Sequence, residues 1–263
     1  MSDSAPATRG PSRVSVILLP LVVGALFLAA WHGAVKSSGS DIFPTPMQVA
    51  SGLGELAQQG LLLKYIVASL FRVTWGFTLA VVIGVPLGLL LGWFAPVFFA
   101  LNPFIQILRP ISPIAWIPVA ILWFGVKDTA PVFLIFLASV FPIAVCATAA
   151  VKNMQPVYLR AAQNFGLSKG QLFRRVIFPS CLPQIITGLR IALGIAWLVV
   201  VAAEMIAVDS GLGYLIIDAR NAGKRYDLVV AGMVMIGLIG LVLDLVIRRL
   251  ERFDEVRWGY SNR

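Results

Sequence analysis

Six stretches of this chain, each roughly twenty residues or longer and nearly free of charge, constrain its fold more than any motif does. At 1.5 Å of rise per residue, about twenty residues cross the roughly 30 Å of bilayer hydrocarbon. The spans are placed near residues 14–32, 65–93, 101–124, 131–150, 184–207 and 228–247. With 59% hydrophobic and 13% charged residues, there is more apolar surface than a soluble core of 263 residues can use. The fold class is therefore all-α, a polytopic membrane protein with six transmembrane helices. The first apolar run is longer than a secretory signal core and no small-x-small site follows Trp31-His32-Gly33, so an uncleaved signal-anchor helix is expected.

The net charge of +9 invites a nucleic-acid reading, but its distribution fits membrane topology instead. With the N-terminus inside, inner segments hold twelve Lys and Arg and outer segments six, whereas acids run four inside and six outside. The asymmetry belongs to the basic residues, as the positive-inside rule requires, so both termini are expected in the cytoplasm. This gives a cytoplasmic tail at 1–13, a first span at 14–32, an outer interfacial segment at 33–64, a core of five spans at 65–250 and a cytoplasmic tail at 251–263.

Within the outer segment, Val49, Leu53, Leu56 and Leu63 follow helical spacing after the Phe43-Pro44-Thr45-Pro46 punctuation, predicting an amphipathic helix along the outer interface. Gly84, Gly88 and Gly92 then recur every four residues, the spacing that lets a second helix approach closely in lipid. The third span is interrupted by Pro103, Pro110, Pro113 and Pro118, and irregular backbone at membrane depth persists only where protein or a wet cavity satisfies it. Arg109, Ser112, Pro113 and Trp116 are accordingly candidate pathway residues. Glu204 joins them as an intramembrane acid, with pairing to a distant base such as Arg72 as the alternative. Asp244 stands four residues before Arg248, at i,i+4 spacing. Arg109 and Arg190, placed near the inner ends of spans, suit either an anion or lipid headgroups.

The one sizeable inner loop, 151–183, has five basic residues and no acid. Tyr158, Ala161, Ala162, Phe165, Leu172, Phe173, Val176 and Ile177 keep helical spacing on either side of Gly166-Leu167-Ser168-Lys169-Gly170, predicting two short helices and a tight turn. Their apolar faces need either headgroups or the groove of another protein. Catalytic chemistry is not evident: there is no G-x-x-x-x-G-K-[ST] phosphate loop, His32 is the only histidine, and Cys146 and Cys181 form no C-x-x-C pair. No enzyme activity, metal or cofactor is expected.

This inner loop resembles the E-A-A-x-x-x-G-x9-I-x-L-P loop of ABC importer permeases, through Ala161, Ala162, Gly166 and Pro179, with Val176 and Phe178 as apolar substitutes. Arg160 stands where that pattern has Glu. The run from Arg109 through Pro118 to Gly125, and Ala203-Glu204-Met205 followed by Ser210-Gly211-Leu212-Gly213, look like the nitrate/sulfonate/taurine branch of these permeases. The resemblance implies a type I importer permease fold in a bacterial inner membrane, and a helix-turn-helix that couples to an ATPase through Arg160, Ala161, Ala162, Gly166, Leu167, Phe173 and Pro179. Implied partners are two ATP-binding subunits, a second permease copy forming a homodimer, a periplasmic or lipid-tethered solute-binding protein and membrane lipid. The implied cargo is a small anionic solute such as nitrate, a sulfonate or taurine. An ATP-independent carrier or channel is the alternative, and a paired-helix loop at this spacing with no internal repeat speaks against it.

Overall fold

Apolar helices account for nearly all of the computed structural model, which describes residues 13–39 and 42–250. The expected tails at 1–13 and 251–263 lie outside the described residues, apart from Arg13. α1 (Arg13–Ser38) has no buried residue from Leu18 to Ser38. α2 (Pro46–Gln58) opens with a capping box between Thr45 and Gln48 and ends where Gly60, at φ 70°, breaks the helix before α3 (Leu61–Trp93). The predicted outer helix is thus two elements. Val49 and Leu56 are buried, while Leu63 belongs to α3 and is 68% exposed.

α3 and α6 (Thr129–Lys152) form the centre of the bundle. Gly76, Gly84, Gly88 and Gly92 lie on one face of α3, against Ile135, Ile143, Ala144 with Ala147, and Val151 respectively. The numbers rise together along both helices, so the two run parallel, as spans two and four of a six-span layout must. A Cβ at Gly76 would stand 2.7 Å from Ile135, and one at Gly92 2.5 Å from Val151. Side chains at these positions would force the backbones apart, and in lipid this close packing is what holds helices together. Thr148 adds a hydroxyl bond to the Gly88 carbonyl at 3.0 Å.

The third span is not one helix. α4 (Ala95–Leu108) stops before Pro110, a 3₁₀ turn covers Pro113–Trp116, and α5 (Ile117–Phe124) leaves at 85° to α4. Pro113 and Pro118 each sit in the first turn of a new segment, where no backbone donor is required. They start helices rather than kink a continuous one, which corrects the single span at 101–124. Among the described residues, five helices are long and apolar enough to cross a membrane, and the bent pair taken as one broken span makes six.

α7 (Pro156–Asn164) is the first helix of the inner loop. The second does not end within the loop: α8 (Lys169–Leu172), a π turn (Phe173–Ile177) and α9 (Phe178–Ala207) form one helical run of 39 residues. The Phe178 N–H donates to the Phe173 carbonyl, an i+5 bond, so Pro179 falls in the first turn of α9, where its missing donor matters least. The expected pair of short helices is one short helix followed by an extension of the fifth span. α10 (Leu212–Gly223) and α11 (Tyr226–Leu250) complete the chain. Trp197 on α9 donates to the Ile236 carbonyl on α11 at 3.0 Å, over Gly240.

Candidate functional site: two-faced hairpin, broken span and buried charge knot

At one end of the bundle, α7 ends in a Schellman turn. Gly166 takes φ 69°, the Leu167 N–H donates to the Ala162 carbonyl at 3.2 Å and the Gly166 N–H to Gln163 at 2.9 Å. Ser168 and Gln171 then form a capping box that starts α8 two residues after the glycine. This hairpin has two faces. Ala162, Leu172 and Ile177 are buried with Leu89, Ala147, Val151 and Cys181 at the adjacent ends of α3, α6 and α9, and Leu167 is half-buried beside them. Val157, Tyr158, Arg160, Ala161 and Phe165 face outward, Phe165 at 84% exposure. The adjacent alanines of the motif are therefore divided, Ala162 anchoring the hairpin and Ala161 facing away. Phe173 in the π turn lines an apolar groove with Trp93, Phe94 and Phe178, while Pro179 starts α9.

Halfway across the bundle, the break between α4 and the 3₁₀ turn exposes Arg109 and Ser112. Pro113 is half-buried, and Trp116 packs on the cluster of Ile117, Ala120, Ala130 and Leu134. Arg109 and Pro113 border a cavity of about 220 Å³ whose far wall is Leu137, Phe141 and Pro142 of α6 and Ile195 of α9.

Glu204 is elsewhere. It lies nine residues beyond Ile195, roughly 13 Å farther along α9, with its side chain fully enclosed. Its Oε1 accepts from Arg72 Nη1 at 2.8 Å, and its Oε2 from Ser69 Oγ at 2.9 Å and the Gly213 N–H at 3.0 Å. Arg72 also donates to Asp128 at 2.6 and 2.8 Å and to the Ser210 carbonyl and hydroxyl at 2.7 and 2.6 Å. The Ser69 hydroxyl accepts from the Leu212 N–H at 3.0 Å. Gly211, at φ 108°, lets the chain pass directly over the carboxylate, where a Cβ would collide with it. This knot fastens α3, the start of α6, the end of α9 and the N-terminus of α10 at one end of the bundle. The Arg72 pairing occurs, and Glu204 has no exposed face within the chain. Ser69, Asp128 and Ser210 were not among the expected site residues: hydroxyls and a loop acid carry no periodic signal.

Asp244 pairs with Arg190 at 2.7 Å as well as with Arg248 at 2.9 Å, so Arg190 is engaged by an acid within the bundle. Near the α2 end, Arg225 bridges Glu55 at 2.6 Å and Asp227 at 2.8 Å.

Residues 84–253 match the family of binding-protein-dependent transport system inner membrane components. The taurine transport system permease protein of Escherichia coli (strain K12) is 38% identical over 252 residues, 93% of this chain and 90% of the relative. The chain belongs to this family. The permease is also 35% identical over 245 residues to the nitrate import permease protein of Synechocystis sp. (strain ATCC 27184 / PCC 6803 / Kazusa), 89% of this chain and 88% of the relative. Its fold matches a structure of the inward-facing MetNI methionine ABC transporter with a TM-score of 0.65 at 19% identity, covering 74% of the permease and 97% of that chain. The permease is thus a multi-pass inner-membrane transport subunit with the fold of ABC importer permeases, and the alternative of an ATP-independent carrier or channel is set aside.

Proposed function

We propose that this permease forms half of the translocation pathway of an ATP-driven importer, that its α7 hairpin docks into a separate ATPase subunit, and that its cargo is a small anionic solute. The supporting observation is the two-faced hairpin. One face is fused to the inner ends of three spans, and the other presents Tyr158, Ala161 and Phe165 with no partner among the described residues. Because α8 runs without a break into α9, a push on the hairpin is transmitted along one helical body into the membrane. The assembly in this proposal has two permease copies, two ATPase subunits that perform all ATP hydrolysis and a solute-binding protein on the outer face. Both termini of each permease are cytoplasmic. Arg109, Ser112, Pro113 and Trp116 border the pathway, and Glu204 acts through the knot beside it. Relatives named for nitrate, an anion, and taurine, which carries an ionised sulfonate, favour a cargo with an anionic group.

The test is Gly166→Val. At φ 69° a β-branched residue is strained, so the turn should open and ATPase copurification and ATP-dependent uptake should both fall at least tenfold. Retention of both would remove the hairpin from the coupling path.

A further inference from the structure

Arg109 is an exposed cation beside the midpoint of the apolar helix α6, not near the inner end of a span as the sequence suggests. The cavity beside it is walled by Phe141 and Pro142 of α6, which lie ten to thirteen residues from either end of that 24-residue helix, roughly 15–20 Å of rise. Headgroups are out of reach from there. A guanidinium facing lipid at that depth costs on the order of 2.5–3.5 kcal/mol on insertion scales, and it cannot lose its proton to avoid the cost.

Nor does any acid among the described residues hydrogen-bond or ion-pair with it. Glu204 and Asp128 are held by Arg72, Asp244 by Arg190 and Arg248, and Asp227 by Arg225. Arg109 itself has no side-chain hydrogen bond or ion pair among the described residues, and lies within electrostatic reach of the Cys146 thiol. The C-terminal carbonyls of α4 supply a partial negative charge of about half a unit at most, which leaves most of the cation unbalanced. Pro110 and Pro113 keep the backbone irregular beside it, and the other residues lining the cavity are all apolar, so none of them neutralises the guanidinium.

We infer that Arg109 is the counter-charge for the cargo at the midpoint of the pathway, so that the solute crossing there carries a negative charge. This rests on the importer reading for the existence of a pathway, and adds the residue that selects what enters it. In a pair of copies related by a two-fold axis, two such guanidinium groups facing one space repel each other and exclude cations, and a passing anion relieves both.

The test needs no knowledge of the solute. In the full-length chain carrying Cys146→Ala and Cys181→Ala, reconstituted in lipid nanodiscs, Ser112→Cys places a thiol three residues from the guanidinium. Its rates with the anionic sulfonatoethyl and the cationic trimethylammonioethyl methanethiosulfonates are measured, each divided by the rate with a free thiol. A fixed unit charge nearby should favour the anionic reagent roughly tenfold or more. Arg109→Lys should keep that preference, Arg109→Gln abolish it and Arg109→Glu invert it. Equal rates with Arg109 intact, a thiol unreactive to both reagents, or a preference that survives Arg109→Gln would each overturn the inference. The first two outcomes require no change at Arg109, so they hold even if a variant fails to accumulate. Failure of the unsubstituted permease to copurify with any ATPase subunit would overturn the importer reading instead and leave the charge selectivity standing.

Discussion

Arg72 and Glu204 are 132 positions apart and are almost completely shielded from solvent, at 1% and 0% exposure. Burying two charges is tolerable only when nearly every donor and acceptor is used, and here two serines, a loop aspartate and two backbone N–H groups complete the set. Removing one partner leaves an uncompensated charge, so Arg72→Ala should destabilise the permease by about 3–5 kcal/mol. A thermal unfolding shift in detergent measures this. Replacing both, as Arg72→Met with Glu204→Leu, should recover part of the loss. If the double variant is as unstable as the sum of the singles, the two side chains are not coupled. Glu204 is conspicuous in the sequence because an acid within a span is rare. Its surroundings are not, since Ser69, Asp128 and Ser210 converge from three separate segments and only the folded bundle brings them together.

The glycines at 84, 88 and 92 announce a close helix contact by their spacing alone, and α6 occupies that face. The same spacing extended back by eight residues reaches Gly76, whose contact with Ile135 has equal weight. Gly88→Val should separate α3 from α6 and destabilise the bundle by about 1–3 kcal/mol or more, read as a lower unfolding temperature. Gly54, whose Cβ would meet nothing, should accept Ala without loss. Two element boundaries were not legible. Prolines at 110, 113 and 118 mark irregularity without distinguishing a kink from an 85° reversal, because both remove the same donors. Pro179 reads as a helix stop, yet the π turn shifts the hydrogen-bond register so that the proline falls where no donor is missed. The tie between α2 and α11 has a pH signature. Hydrogen bonding from Arg225 holds the Glu55 carboxyl below its ordinary range. A depressed folded pKa contributes above the unfolded value of about 4.3 and is lost only as pH falls through the folded one. Spin labels on α2 and α11 should therefore report one distance from pH 8 to 5 and a wider spread under more acidic conditions. A spread that grows between pH 8 and 6 would contradict the pairing.

At the scale of the whole permease, the knot and the hairpin occupy opposite ends of the bundle, joined by the continuous run from Lys169 to Ala207 that carries Glu204 near its far end. In the importer we propose, with the knotted end tied and the hairpin end pushed by an ATPase, hairpin motion becomes tilting of spans about the fixed end, and the broken span between them is where such tilting opens or closes a path. The polytopic class and the hairpin are visible in hydropathy and spacing because the bilayer enforces both. The division of labour between the two ends is not, because it depends on which loops meet across the bundle. The most direct measurement is uptake of labelled taurine or nitrate into proteoliposomes holding the permease, its ATPase subunits and its solute-binding protein. Uptake should require ATP and all three components, and fall at least tenfold when Gly166→Val uncouples the hairpin. Uptake of equal rate without ATP, or with the ATPase subunits left out, would contradict an ATP-driven importer.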